Sequence, residues 1–193
     1  MEGHGGKHTF DPSDWAKLES PERRALMNPA LLARAMGLRG GETVVELGVG
    51  TGFFAEPAAP LCARFIGVDL SEKMLEVFRS KPAFAALTNV DLRVGRAEAA
   101  PVEESMADVV YHVNLFHEIR DAGAFHREIM RILKPGGRLY CADWHARETR
   151  GGPPVAHRVP EVKAQALMRG AGFVEVQSLD LYRDHYVIEG RRP

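Results

Sequence analysis

Three closely spaced glycines follow a short apolar run and form the segment of this sequence best suited to carry chemistry. Gly48, Gly50 and Gly52 come directly after the strand-like run Val44-Val45-Glu46-Leu47. Glycines let a backbone turn sharply and approach a ligand without Cβ interference, and a helix that begins there leaves free N–H groups pointing at that ligand. Glu46 puts a carboxylate where a pyrophosphate would be repelled, so a cationic ligand is favoured. The alternative is a helix-terminal glycine turn with a surface glutamate.

An acidic residue ends the next apolar run. Asp69 lies at the point where, in folds of this kind, a carboxylate reaches the two hydroxyl groups of a ribose. Taken alone, Asp69 is explained as well by the helix cap that begins at Ser71. Because it follows a glycine loop, we interpret it as a ligand contact.

A histidine follows the fourth strand candidate, and its ordinary pKa near neutrality suits it to proton transfer. His117 lies in Asn114-Leu115-Phe116-His117-Glu118, at the carboxyl end of the sheet, where open α/β folds bind ligands. We interpret His117 as a candidate general base for an acceptor's proton. The competing interpretation is a histidine that bonds locally and shapes the loop.

A second polar cluster, Asp143, Trp144 and His145, follows the fifth strand candidate at the same edge. These residues can line an acceptor pocket. Trp144 can either make a cation–π contact with a bound cationic ligand or pack against neighbouring side chains. A metal set drawn from His112, His117, Glu118, Asp143 and His145 is disfavoured, because side chains alternate in direction along a strand and all five would not converge. No metal is expected.

Short β-rich runs alternate with helical stretches from residue 43 onward, which is the pattern of βαβ units on a parallel sheet. The predicted strands are Thr43 to Leu47, Arg64 to Val68, Val90 to Val94, Ala107 to Val113, Gly137 to Ala142, Phe173 to Leu179 and Tyr182 to Glu189. The last two are joined tightly through Asp180, which requires an antiparallel hairpin at one end of the sheet.

Capping residues and apolar spacing predict the helices. Helical stretches are expected after the Ser20 cap, from Pro29 to a terminus at Gly37, after the Ser71 cap, on the face Phe125, Ile129, Ile132 and Leu133, and from Pro160 to Arg169. Pro57 and Pro60 predict that the helix after Gly52 is short or kinked. We expect residues 1–40 to be a flexible start followed by helices that cap the pocket, and residues 41–193 to be one domain.

Length and composition limit the functional classes. The 193 residues, 45% hydrophobic and with a net charge of −1, predict one globular domain without the charge typical of nucleic-acid or membrane binding. Two distant cysteines support neither a disulfide framework nor a cysteine zinc site. No apolar run suggests a signal peptide or a membrane span, so we expect a cytoplasmic protein. We also expect it to be a monomer or homodimer and to act on a small molecule.

Four motifs in order resemble the class I S-adenosylmethionine-dependent methyltransferases, most closely the small-molecule enzymes of the ubiquinone and menaquinone type. They are VVELGVGTGFF, VDLSEKML, GRAEAAPVEESMADVVYHVNLFHEI and REIMRILKPGGRLYCADW. The resemblance covers about residues 40 to 190. It implies a Rossmann-like α/β/α fold with seven strands, one of them antiparallel.

The resemblance also implies how S-adenosylmethionine is bound. Glu46 lies near the methionine ammonium, Asp69 on the ribose and Leu70 beside the adenine, while the glycine loop contacts the methionine part. Arg96 stands where an acid often binds the adenine amino group, so Ala97 or Glu98 takes that contact instead. The remaining implied cofactor residues are Gly48, Gly50, Thr51, Gly52 and Asn114.

Two other functional classes remain in view. A nicotinamide oxidoreductase is disfavoured by the glycine spacing and by the absence of Tyr-x-x-x-Lys. A non-catalytic protein that binds S-adenosylmethionine is compatible with the same motifs. Methylation of DNA amino groups is disfavoured, since no Asn-Pro-Pro-Tyr or Asp-Pro-Pro-Tyr follows the fourth strand. Apolar residues at the carboxyl edge and near the start favour a small, partly aromatic or apolar acceptor: Phe10, Trp15, Phe116 and Trp144.

Overall fold

The computed structural model describes residues 11–193 and contains a seven-stranded sheet with helices on both faces. The strands are β1 (Thr43–Leu47), β2 (Arg64–Asp69), β3 (Val90–Val94), β4 (Ala107–Val113), β5 (Leu133–Trp144), β6 (Val174–Leu179) and β7 (His185–Arg191). Their order is β3-β2-β1-β4-β5-β7-β6. β7 pairs antiparallel with β5 and β6, and the other pairs are parallel. The predicted α/β class with a single antiparallel strand is confirmed.

In the described part of the chain, six α-helices connect or precede these strands. They are α1 (Pro21–Leu26), α2 (Pro29–Met36), α3 (Ala55–Ala58), α4 (Glu72–Ser80), α5 (Ala122–Ile132) and α6 (Glu161–Gly170), with 3-10 helices at Pro12–Glu19, Ala59–Leu61, Pro82–Phe84, Phe116–Glu118 and Val155–His157. Within residues 11–193, no helix combines the length and apolar character that crossing a membrane requires.

Each face of the sheet carries its own apolar cluster, because successive side chains of a strand point to opposite faces. Helices α2, α3 and α4 cover one face through residues such as Leu32, Ala58 and Phe78. Helices α5 and α6 cover the other through residues such as Ile129 and Met168. The central strands are buried on both faces, which explains their nearly continuous apolar sequences.

The predicted caps and terminators act as expected. The Ser20 and Ser71 hydroxyl groups accept hydrogen bonds from backbone N–H groups at the starts of α1 and α4. Gly37 ends α2 with a φ of 58°. The helix after the glycine loop is short: α3 ends at Ala58 and continues as a 3-10 turn through Leu61. The proline-based prediction for this helix is confirmed.

The largest differences from the predicted strand boundaries lie at β7 and β5. β7 begins at His185 and not at Tyr182, because Tyr182 leaves the sheet and its hydroxyl group donates to the Asn28 carbonyl at 2.9 Å. The predicted tight joint at Asp180 is therefore wrong, and residues 180–184 form a longer connection. β5 begins at Leu133, which pairs with Ala107 beyond a shift in register, so Leu133 belongs to the strand and not to the preceding helix.

Regular structure also begins earlier than predicted. The expected start near Ser20 is wrong, because a 3-10 helix covers Pro12–Glu19, where the Asp11 side chain accepts a hydrogen bond from the Ser13 N–H at 2.8 Å. The expectation of a flexible start concerns mainly residues 1–10, which lie outside the described residues, as does Phe10 in the apolar set proposed for the acceptor.

Candidate active site

The glycine loop between β1 and α3 adopts a backbone that other residues rarely reach. Gly48, Gly50 and Gly52 have φ values of 71°, 53° and 81°. A Cβ atom on Gly52 would lie 2.4 Å from the Phe78 ring, whereas one on Gly50 would meet only Leu18, at 3.8 Å. The loop therefore packs tightly on α4 at Gly52 and leaves space above Gly50.

Asp69 is held beside this loop by backbone donors. Its two carboxylate oxygens accept hydrogen bonds from the Gly50 N–H at 2.8 Å and the Ser71 N–H at 2.9 Å. Burial raises the pKa of this carboxyl group above its usual value, and these hydrogen bonds oppose the rise. A carboxylate has about four lone-pair sites, so acceptor capacity remains at the carboxyl end of β2. The two interpretations of Asp69 are thus compatible, since it orders both the turn at Ser71 and the loop.

The N–H groups of the three glycines are engaged within the protein. The Gly48 N–H donates to the Val68 carbonyl, the Gly50 N–H to Asp69 and the Gly52 N–H to the Val49 carbonyl. The expectation of free N–H groups is therefore wrong at these three positions. The glycines contribute shape and space to the site.

Glu46 lies buried beneath the loop, with 2% of its surface exposed. The Tyr111 hydroxyl group donates to Glu46 Oε2 at 2.7 Å. Burial raises the pKa of the Glu46 carboxyl to about 8, although the Tyr111 hydrogen bond and the positive charge of Arg23 lower it. The raised pKa favours the protonated form of Glu46, and a bound cation would favour its ionised form. The alternative of a surface glutamate is wrong.

The N-terminal segment crosses the glycine loop through contacts whose residues sequence reasoning did not identify. The Glu19 carboxylate accepts hydrogen bonds from the Thr51 hydroxyl group and from Lys81 Nζ, the latter at 2.9 Å. Lys81 also pairs with Glu56 at 2.5 Å, and Arg24 pairs with Glu56 at 2.9 Å. No local sequence signal links residues so far apart in the chain. Thr51 therefore faces Glu19 and lies under this segment.

The residues expected around an adenine lie after β2 and β3. Leu70 is 62% exposed beside Asp69, which suits contact with a flat apolar ring. Ala97 and Glu98 follow β3 and are partly buried. Arg96 stands where the family often has an acid. Its Nη2 lies 3.5 Å from Glu98 Oε1, so the two side chains form an ion pair.

Asn114 ends β4 with a φ of 53°, a conformation that asparagine tolerates. Its N–H donates to the Ala142 carbonyl at 2.9 Å, and its side-chain nitrogen lies 3.9 Å from the Met27 sulfur. Its Oδ1 is buried and has no hydrogen-bond partner among the described residues. A buried acceptor without a donor is costly, so this oxygen is available to a ligand.

His117 is fixed by Asp143. His117 Nδ1 lies 2.8 Å from Asp143 Oδ1, and the His117 N–H donates to Asp143 Oδ2 at 3.0 Å. Asp143 is 1% exposed and His117 is 6% exposed. Because a carboxylate only accepts hydrogen bonds, Nδ1 donates to Asp143, and in the neutral form of the ring Nε2 is the basic atom. Nε2 lies 3.9 Å from Glu118 Oε1.

The other members of the second cluster pack or pair locally. The Trp144 ring lies 3.9 Å from the His185 ring, and the Arg158 guanidinium lies 5.2 Å from the Trp144 ring. His145 Nδ1 lies 3.7 Å from Glu161 Oε2. The packing interpretation of Trp144 accounts for these contacts.

The five residues considered for a metal do not converge. His112 is fully buried with its ring 5.0 Å from that of Phe125, and burial lowers its pKa to about 3. His145 pairs with Glu161, away from His117. Among residues 11–193, no group of three or more His, Cys, Asp or Glu residues is arranged to hold a metal.

Phe116, which was expected to face the acceptor, instead packs in the core. Its ring lies against the rings of Phe125 and His126.

Comparison with known proteins gives a consistent result. A family model described as a methyltransferase domain matches residues 45–141, half of the chain. The chain is 34% identical over 154 residues to a demethylmenaquinone methyltransferase of Lactococcus lactis, covering 78% of this chain and 59% of that enzyme. It is 32% identical over 171 residues to a 27-O-demethylrifamycin SV methyltransferase of Amycolatopsis mediterranei, covering 84% and 58%.

A solved structure matches almost the whole chain. It is an S-adenosylmethionine-dependent methyltransferase of Aquifex aeolicus, with a TM-score of 0.88 and 25% identity, covering 96% of this chain and 100% of that one. By contrast, the chain spans between 52% and 61% of the length of the curated relatives it matches first. Those enzymes contain further residues with no counterpart in this chain.

Proposed function

The chain belongs to the methyltransferase-domain family, and on that premise we propose that it transfers a methyl group from S-adenosylmethionine to a small-molecule acceptor. The observation that carries this proposal is Asp69, held 2.8 Å from the Gly50 N–H next to the open side of the glycine loop. A carboxylate in that position suits the paired hydroxyl groups of a ribose.

The site residues fit the chemical groups of S-adenosylmethionine. Asp69 would bind the ribose, the exposed Leu70 would contact the adenine, and Glu46 would bind the ammonium group. Ala97 or Glu98 would bind the adenine edge, and the unpartnered oxygen of Asn114 provides a further acceptor. When bound, S-adenosylmethionine supplies a methyl group activated by its sulfonium charge. The protein then has to orient the acceptor and exclude water.

We assign His117 the role of general base for acceptors that lose a proton. The hydrogen bond to Asp143 directs Nε2 of the neutral ring to accept the proton from an acceptor O–H or N–H group. Asp143 would stabilise the resulting imidazolium charge, since it is buried and accepts from both the ring and the backbone of His117. An acceptor without an acidic proton would not need this group.

The acceptor is proposed to be small and partly aromatic or apolar. Support comes from the relatives, which are named for menaquinone and rifamycin precursors. Trp15, 36% exposed on the segment that crosses the glycine loop, would add apolar surface for such an acceptor.

Isothermal titration calorimetry tests the cofactor first. The wild-type protein is titrated with S-adenosylmethionine, S-adenosylhomocysteine and NADH, beside Asp69→Ala and the exposed-loop control Asp180→Ala. We expect binding of the first two ligands, weakened about 10- to 100-fold by Asp69→Ala and unchanged in the control. A preference for NADH, or no binding of any ligand, would overturn the proposal.

Turnover separates an enzyme from a non-catalytic binding protein. Transfer of a labelled methyl group is measured with phenols, quinols and amines as acceptors. We expect transfer to at least one class, with His117→Ala lowering kcat for acceptors that lose a proton. Tight binding of S-adenosylmethionine without transfer to any acceptor would favour the binding protein.

A further inference from the structure

Buried polar atoms without hydrogen-bond partners are concentrated at the start of β7. Among the described residues, eight buried side-chain nitrogen or oxygen atoms lack a partner, and four of them belong to the consecutive residues Asp184, His185 and Tyr186. Both ring nitrogens of His185 are among these four, and His185 is 3% exposed. An unpartnered buried polar group costs folding free energy, so several of them at one place indicate a site for an outside partner.

The position of His185 distinguishes it from the histidines of the core. Within residues 11–193, the other buried histidines with unpartnered ring nitrogens are His112 and His126, which pack against phenylalanine rings. His185 instead lies at the carboxyl edge of the sheet, where it pairs with Trp144 at the end of β5. Open α/β folds bind their ligands at this edge.

His185 lies on the same face of the sheet as the unpartnered oxygen of Asn114. Side chains alternate along a strand, so His185 shares the face of Val187, which belongs to the apolar cluster that α2 covers. The Asn114 side-chain nitrogen lies 3.9 Å from the sulfur of Met27, a member of that cluster. Asn114 follows β4 and His185 begins β7, with β5 between them, so their backbones are about 10 Å apart. Two unpartnered polar groups therefore flank the end of β5, next to the proposed cofactor site.

The His185 imidazole is suited to an uncharged oxygen. Burial lowers its pKa to about 4, although the negative charge of Asp143 raises it, so the ring is neutral at neutral pH. A neutral ring has one N–H donor and one acceptor nitrogen, which match a hydroxyl group, and the donor alone matches a carbonyl oxygen. The Trp144 ring, 3.9 Å from the His185 ring, adds apolar surface beside these atoms.

The segments that flank His185 and Trp144 are connections between elements. They comprise residues 145–154 after β5 and residues 180–184 before β7. Connecting segments move more easily than the strands they join. An acceptor therefore reaches the buried ring through movement of these loops while the sheet stays intact.

We propose that His185 binds an uncharged oxygen of the acceptor, separate from the atom that is methylated. The inference rests on the proposed function, since it assumes that an acceptor is held at this edge of the sheet. It deepens that function, because it makes the site selective for an aromatic acceptor with an additional hydroxyl or carbonyl group. His117 would take a proton from the reacting group, and His185 would fix the position of the ring.

Methyl-transfer kinetics with paired acceptors test this inference. The probes are phenol and aniline, together with the same rings carrying a second hydroxyl group: catechol, resorcinol, hydroquinone and the three aminophenols. The values of kcat and KM are measured for wild type, His185→Phe, His185→Gln and His126→Phe. Phenylalanine keeps a ring without nitrogens, whereas glutamine keeps a donor and an acceptor. His126→Phe is the matched control, because His126 is also a buried histidine with an unpartnered ring nitrogen but lies on α5 in the core.

We expect wild type to prefer at least one ring with a second hydroxyl group over its parent by about 10- to 100-fold in kcat/KM. His185→Phe should remove this preference mainly through KM and leave kcat/KM for phenol and aniline within about twofold of wild type. His185→Gln should retain part of the preference, and His126→Phe should match wild type.

Two further measurements separate acceptor binding from a structural role. The affinity for S-adenosylhomocysteine should be the same in all variants. Thermal melting of His185→Phe should show no loss of stability, because the substitution removes two unpartnered nitrogens. His185→Leu serves as the test variant if His185→Phe does not fold.

The inference is overturned if wild type shows no preference for a second hydroxyl group, or if the test variant keeps that preference. It is also overturned if the test variant loses activity equally toward all probes, or if His126→Phe loses the preference as well. Transfer to none of the probes by wild type would overturn both the inference and the proposed class of acceptor. Failure of the proposed cofactor is separate, because wild type would then not bind S-adenosylhomocysteine.

Discussion

Glu46 is a buried carboxyl group whose protonation state links stability to pH. Burial raises its pKa from the ordinary 4.5 to about 8 in the folded protein. Between these values the folded state keeps a proton that the unfolded state has lost, so Glu46 lowers stability progressively as pH rises from about 5 to 8. Full development of this effect costs about 5 kcal/mol of unfolding free energy.

We therefore expect Glu46→Gln to remove this contribution. The difference in unfolding free energy between wild type and variant is measured by urea denaturation at pH 5.5, 7 and 8.5. Relative to the variant, the unfolding free energy of wild type should fall by about 2–4 kcal/mol as the pH rises from 5.5 to 8.5. Parallel pH profiles for the two proteins would show that Glu46 ionises normally.

Asp143 determines the tautomer of His117, and this can be measured without knowing the acceptor. With Asp143 Oδ1 2.8 Å from Nδ1, the neutral ring should carry its proton on Nδ1. Nitrogen-detected NMR of the imidazole should show this form in wild type and a larger Nε2-protonated fraction in Asp143→Asn. If wild type were mainly Nε2-protonated, the assignment of His117 as a base would be wrong.

At the scale of elements, the glycine loop packs closely on α4 at Gly52. A Cβ on Gly52 would lie 2.4 Å from the Phe78 ring, and its φ of 81° disfavours any other residue. Gly52→Ala should therefore lower stability by about 2–4 kcal/mol through backbone strain and overpacking. Gly41→Ala is the control, because no atom lies within 4 Å of its added Cβ.

Urea denaturation of the two glycine variants measures this difference. A stability loss in Gly52→Ala no larger than in Gly41→Ala would mean that the Phe78 ring moves aside at little cost. In that case the loop would not be fixed by α4, and its shape would depend on its hydrogen bonds to Asp69, Val68 and Glu19.

The strands and caps could be predicted from the sequence because their signals are local. The runs at β1, β3 and β4 are bounded by turn residues, and Ser20, Gly37 and Ser71 act within their own helices. The boundary of β7 could not be predicted, since Tyr182 leaves the sheet for a contact with Asn28, which is distant in the chain. Tyr182 is a residue type that favours strands, but its contact with Asn28 takes it out of the sheet. Hydrophobic periodicity does not reveal such a distant contact.

The same reasoning separates two parts of the candidate site. Glu46 and Asp69 were predicted because they follow strands and adjoin the glycine loop in sequence. Glu19, Arg23 and Lys81 were missed, since their position over the loop arises only when α1 folds back on the sheet. Charge alone does not distinguish them from the other acidic and basic residues of the surface.

At the scale of the whole molecule, residues 12–26 fold back over the glycine loop and form a cover that ion pairs hold in place. Lys81 connects the end of α4 to the cover through Glu19 at 2.9 Å and to α3 through Glu56 at 2.5 Å. Both partners are partly buried, so the ion pairs are worth more than exposed ones. Lys81→Met should therefore loosen the cover while the sheet, whose core does not include Lys81, stays intact.

Hydrogen–deuterium exchange measures this opening directly. In Lys81→Met, amides of residues 12–26 should exchange about tenfold faster than in wild type, with the central strands unchanged. Lys73→Met, at an exposed position on α4, should behave as wild type. Because the cover lies over the glycine loop, S-adenosylhomocysteine should slow exchange in residues 12–26 of wild type. Uniformly faster exchange in Lys81→Met would instead indicate global destabilisation, and the cover would then be an integral part of the fold.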